Sequence, residues 1–131
     1  MTYDDEANHY RALRGRTILL LEYVPLIAFE LEDLLASVGG RVLRRASTVA
    51  EAMEIIDQTT VIDAALLNVK LPGELSFAIA YRLKGKGIPF AFLTAYREDI
   101  IPADLRSVPV IRKPYHTSEV LRTLAELVSP T

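Results

Sequence analysis

Apolar residues fall along this chain in two alternating periods. Residues 17–22, TILLLE, make a short unbroken apolar run closed by an acid, and residues 64–67, 88–94 and 108–111 are further short apolar runs. Runs of this length, bounded by turn residues, predict strands buried on both faces of a parallel sheet. Residues 41–46 differ, because Val42 and Leu43 stand among Arg41, Arg44 and Arg45, the pattern of a charge-protected edge strand. Between the runs the period lengthens. Ile27, Leu31, Leu34 and Val38 recur at helical spacing after Pro25, which suits a first helical turn, and before Gly39-Gly40, a C-terminal stop. Thr48 and Glu51 have the form of a capping box opening a helix to about Ile56.

Residues 75–84 predict a third helix, with Phe77, Ala80, Tyr81 and Leu83 on one face, Ser76 as its N-cap, and Gly85 and Gly87 at its end. Residues 98–105 hold at most a short helix near Pro102. Val120, Leu121, Leu124, Leu127 and Val128 line one stripe of a closing helix. Strands alternating with helices imply right-handed βαβ units, hence an α/β doubly wound three-layer sandwich on a five-stranded parallel sheet. Residues 1–16 carry little periodicity and read as a mobile arm or one loose helical turn before one domain at 17–129.

Composition narrows the function classes. A chain of 131 residues suits one domain, and a net charge of −2 favours neither nucleic acid nor an anionic membrane as partner. There is no cysteine, which excludes disulfides and thiolate metal sites. No apolar stretch approaches the roughly 20 residues of a membrane-spanning helix. A cytoplasmic protein is the expectation. His9 and His116 lie far apart in sequence and read as surface residues.

A parallel sheet brings the carboxyl ends of its strands to one edge, where ligands and chemistry gather in open α/β folds. Here that edge would hold Glu22, Asn68, Thr94 and Lys113. The strings carrying them, ALLNVKLPG, FLTAY and IRKPY, are similar to ALLDVNLPG, FLTGY and LRKPF of bacterial receivers. From Thr17 to Val128 the chain resembles the CheY-like receiver domain of two-component response regulators, a flavodoxin-like fold of strand order 2-1-3-4-5. In that family a pair of acids after the first strand holds Mg²⁺, and an aspartate after the third strand accepts a phosphoryl group. A threonine and a lysine then respond. The resemblance places Glu22 at the first acid and Tyr23 and Val24 where the second carboxylate is expected. It places Asn68 at the phosphoacceptor, and Thr94 and Lys113 at the responding pair. Lys70 falls where a backbone carbonyl would coordinate the metal. Val110 replaces a switching aromatic, for which Tyr96 is the candidate substitute, and Lys113-Pro114 is expected to be cis.

These departures change the chemistry. Phosphoryl transfer to a carboxylate needs an anionic nucleophile and a divalent cation, whereas an amide oxygen is a poor nucleophile and one glutamate a weak Mg²⁺ site. No catalytic residue and no cofactor are expected, with Mg²⁺ binding weak or absent. Two readings of the edge stand side by side: Glu22 pairs with Lys113 and fixes one conformation, or these groups are solvated. The rings of Tyr23 and Tyr96 either plug the former metal pocket or pack on the surface. The implied function is that of an atypical single-domain response regulator, not an enzyme, binding a signalling protein such as a histidine kinase without aspartyl phosphorylation. The first helix is the family's usual kinase-docking face, and residues 98–128 cover the face used for partners or homodimers. The alternatives are phosphorylation at a non-standard residue and a flavodoxin-like small-molecule-binding domain.

Overall fold

The four apolar runs and the edge segment 41–46 form one parallel sheet in the computed structural model, which describes residues 10–59, 61–95 and 100–129. The strands are β1 (Thr17–Leu21), β2 (Arg41–Ala46), β3 (Ala64–Asn68), β4 (Phe90–Thr94) and β5 (Val110–Arg112), in spatial order 2-1-3-4-5. The expected topology holds. Helices α1 (Pro25–Ser37), α2 (Val49–Gln58), α3 (Phe77–Lys86) and α4 (Thr117–Val128) complete the layers. Alternation along each strand divides the core. Leu19, Leu21, Ala65, Leu67, Phe90 and Phe92 face α2 and α3, while Ile18, Leu20, Ala64, Leu66, Ala91 and Leu93 face α1 and α4. The strands between the two clusters are buried on both faces, which is why β1, β3 and β4 read as continuous apolar runs. Phe92 anchors the first cluster edge-to-face against Phe77 at 6.0 Å and Phe90 at 5.6 Å between ring centroids.

Proline sets two strand starts later than the pattern suggests. Pro89 and Pro109 have no N–H to donate, so pairing begins at Phe90 and Val110, although both proline carbonyls accept from Ala65 and Phe92. α1 ends as Gly39-Gly40 requires. The Gly40 N–H reaches the Leu35 carbonyl and the Gly39 N–H that of Ala36, with Gly39 at φ +86°. Thr48 caps α2 through the Glu51 N–H at 3.1 Å, but the Glu51 carboxylate bonds the Ser47 and Thr48 hydroxyls rather than the Thr48 N–H. The Ser47 hydroxyl bond, first among these contacts, holds the Glu51 carboxyl below the usual carboxylate range.

Four expectations change. α3 starts at Phe77 because Glu74–Leu75 pair with Lys70–Leu71 in a small antiparallel hairpin turning at Gly73. Gly85 lies inside α3, and Gly87, at φ +73°, ends it. Tyr81 leaves the predicted apolar face for the surface, where its hydroxyl donates to Asp104 at 2.8 Å and ties α3 to the 3-10 turn Ala103–Leu105. Ser76 occupies the N-cap position, yet its hydroxyl caps nothing: it is fully buried and finds no hydrogen-bond partner among the described residues. Ser76→Ala removes a stranded polar atom rather than a bond, so chemical denaturation is expected to show it neutral or stabilising, by up to about 1 kcal/mol. A loss larger than that would mean the hydroxyl is satisfied in solution.

The expected arm is not uniform. Leu13 is fully buried in the α1/α4 cluster on a 3-10 turn, Arg11–Leu13, that packs on α4, and Tyr10 packs against the same cluster. Asp63 then fastens the start of β1, accepting from the Thr17 N–H at 2.8 Å and from Arg16 at 3.4 Å. Tyr10 to Arg16 thus belong to the folded body, while His9 and the rest of residues 1–9 lie outside the described residues.

Candidate functional site

Parallel pairing delivers the four edge residues in register. Leu21 pairs with Leu67, Asn68 with Leu93 and Thr94 with Arg112, so Glu22, Asn68, Thr94 and Lys113 stand at successive carboxyl ends. Main-chain bonds join those ends. The Val69 N–H donates to the Leu93 carbonyl and the Lys113 N–H to that of Thr94. Glu22, Asn68 and Thr94 are buried. Glu22 sits just before α1, whose N-cap is Val24 and whose first residue is Pro25. A carboxylate there meets the positive end of the helix and free N–H groups.

The Glu22 carboxylate is the hub of this edge. Oε2 accepts from the Tyr23 N–H at 2.9 Å, the Val24 N–H at 3.3 Å and the Asn68 amide nitrogen at 3.0 Å, while Oε1 accepts from Lys113 Nζ at 2.9 Å. Of the two sequence readings, the Glu22–Lys113 pairing is the one present, with the Glu22 side chain shut off from solvent and that of Lys113 only 19% exposed. Chemistry dictates the Asn68 orientation, since an amide oxygen turned toward a carboxylate would repel it. A buried carboxylate is tolerated when its charge is matched and its lone pairs are filled, and both conditions are met here.

The other candidates divide. Tyr23 and Val24 enter the site through their main-chain N–H groups, which sequence reasoning missed. The Tyr23 ring is 42% exposed, a partly packed surface group. Lys70 is exposed in the small hairpin. Lys113-Pro114 is cis, as expected, and Val110 is half-buried. Tyr96 lies outside the described residues. Leu26 and Phe29, at 71% and 53% exposure, extend from Tyr23 along the outer side of α1. Arg45 covers Phe29 at 4.4 Å and pairs with Glu32, so this edge-strand arginine also ties β2 to α1.

Next to the lysine, half-buried Tyr115 lines a groove with Glu30, Leu31, Asp33 and Leu34 of α1. Burial first, then the Glu30 and Glu22 carboxylates, push its phenol above the usual value near 10. Stability from the neutral phenol is present below pH 10 and lost as pH rises through the raised folded pKa. Glu30→Gln should bring that ionisation down, read at 295 nm as the difference between chains with Tyr115 and Tyr115→Phe. An unchanged midpoint would remove Glu30 from the account.

The doubly wound sheet and the four residues at its carboxyl edge define a receiver domain. No family model matches the chain. SdrG from Sphingomonas melonis Fr1 is similar at 37% identity and TM-score 0.76, covering 90% of this chain and 98% of that one. The PhyR receiver domain of Erythrobacter litoralis is similar at 29% identity and TM-score 0.77, covering 92% and 98%. The chain belongs to the receiver domains of response regulators. Among curated proteins, the phyllosphere-induced regulator PhyR of Methylorubrum extorquens is 29% identical over 127 residues, 94% of this chain and 47% of that protein. The chain thus spans about half the length of the curated relative it matches.

The family's Mg²⁺ can be tested against these residues. The ion demands near-octahedral oxygen ligands and is usually held by one or two carboxylates with waters. Of the four edge residues only Glu22 is a carboxylate, both its oxygens are occupied, and Asn68 turns nitrogen toward it. Among the described residues no group of three His, Cys, Asp or Glu could hold a metal. Among the described residues the donor set does not fit the ion. Nor is any helix among the described residues long and apolar enough to cross a membrane.

Proposed function

We propose that this receiver domain acts in two-component signalling as a non-enzymatic protein-interaction module that needs no aspartyl phosphorylation. One observation carries the reading: at the phosphoacceptor position a neutral amide donates to Glu22, where phosphoryl transfer requires an anionic oxygen nucleophile. The partner is a signalling protein of the cytoplasm, a histidine kinase or another regulator. Tyr23, just before α1, and Leu26 and Phe29 on it offer an apolar strip, and the region 98–128 is the candidate face for a second copy. SdrG is described in a BeF3-activated conformation, which makes that reagent a direct comparison.

Incubation with acetyl phosphate or beryllofluoride and Mg²⁺ should leave the intact mass and amide spectrum of this chain unchanged. Asn68→Asp alone should accept phosphate inefficiently, because the second metal carboxylate is still missing, whereas adding Tyr23→Asp should raise labelling. A phosphate on the wild-type chain, at any residue, would sink the proposal. Efficient labelling of the single variant would show that one glutamate suffices for the metal.

A further inference from the structure

The misfit with Mg²⁺ raises the question of what performs the ion's structural task. In this edge the Glu22 charge is enclosed, and among the described residues three of its four donors are neutral N–H groups. The fourth is the Lys113 ammonium, 2.9 Å away on the loop after β5. We infer that Lys113 is the resident cation of this site: it supplies from within the chain the positive charge that joins the ends of β1 and β5, making the edge independent of divalent metal. The inference rests on the reading that position 68 has left phosphoryl chemistry, and it concerns what holds the edge together.

The charges close without an ion. Glu22 and Lys113 sum to zero and the Asn68 amide adds none. A divalent ion would have to displace the ammonium from Oε1 or the amide from Oε2, and would leave excess positive charge in an enclosed place. An aspartate at 68 reverses the argument. A carboxylate oxygen would then stand where an N–H now sits 3.0 Å from Glu22, two anions would share one ammonium, and a divalent cation would become the natural bridge. Glu22 also holds the Tyr23 and Val24 amides, so the same charge pair fixes the entry of α1 beneath its exposed Tyr23, Leu26 and Phe29 strip.

Thermal unfolding of the full chain, with and without excess MgCl₂ at matched ionic strength, tests this. The wild-type Tm should not respond. The Asn68→Asp/Lys113→Met variant, with two carboxylates and no ammonium, should gain about 3–6 °C with Mg²⁺, and Asn68→Asp alone should gain less because the ammonium still competes. A wild-type gain as large as the double variant's overturns the inference, as does selective Mn²⁺ broadening of the wild-type Asn68 side-chain amide signals. A folded double variant indifferent to Mg²⁺ overturns it too, since Lys113 would then not be standing in for a cation. If the double variant does not fold, the single variant decides: a Mg²⁺-dependent rise supports the inference and indifference defeats it. The assay contains no phosphoryl donor, so its failure leaves the phosphorylation reading to be judged by its own test.

Discussion

Glu22→Gln lowers the stability of this domain by about 2–4 kcal/mol, although it changes the side chain by one atom and leaves its volume intact. Four donors converge on the Glu22 carboxylate: two main-chain amides, the Asn68 amide and the Lys113 ammonium. A glutamine brings a single acceptor oxygen and two donor hydrogens of its own. Whichever way it turns, its NH₂ group meets either the ammonium or the cluster of N–H groups, and Lys113 loses its counter-charge. Removing one member of a buried pair costs more than the pair contributes, because the other charge is left exposed to a medium that cannot solvate it. Urea unfolding monitored by circular dichroism measures the loss. An unchanged midpoint at unchanged slope would mean that water already solvates these groups.

Leu13→Ala costs about 2–5 kcal/mol, the range for truncating a fully buried leucine whose surroundings cannot collapse. The comparison that isolates its meaning is a chain beginning at Thr17, which loses Leu13 together with the Tyr10 packing and the Arg16 contact to Asp63. That chain should melt lower than Leu13→Ala. If it melts with the wild type, the 3-10 turn is an ornament and the body begins at β1.

This turn shows where the sequence stops being readable. β1, β3 and β4 are buried on both faces and announce themselves as unbroken apolar runs, while α1 carries its own punctuation in Pro25 and Gly39-Gly40. Leu13 has no such context, since an Ala-Leu pair between arginines has no period and only the cluster formed with α1 and α4 gives it a role. The hairpin at 70–75 escapes for a related reason, because two-residue strands hold too little pattern to separate from the start of a helix. Tyr81 reads as a face residue by spacing, and only the position of Asp104 draws it outward.

The candidate site was legible in its membership and opaque in its wiring. A parallel sheet of known order brings Glu22, Asn68, Thr94 and Lys113 to one edge whatever their side chains do, and opposite charge favours the Glu22-Lys113 pair. That the Asn68 amide would also donate to Glu22 depends on the depth of each side chain. That the Tyr23 and Val24 amides would do so depends on how the chain turns into α1. The loss of a carboxylate at 68 reads in sequence as a deletion of function. In the folded chain it is also the gain of a donor.

Glu74 offers a last consequence. From the small hairpin its carboxylate reaches the Val49 N–H at 3.0 Å, filling one of the open donors in the first turn of α2. The turn that follows position 68 is thereby anchored to the layer beside it, as a tie-bar and not a flap. Lifting it would strip that donor of its acceptor, so a force applied to the rim near Gly73 is carried into α2 instead of being spent in slack.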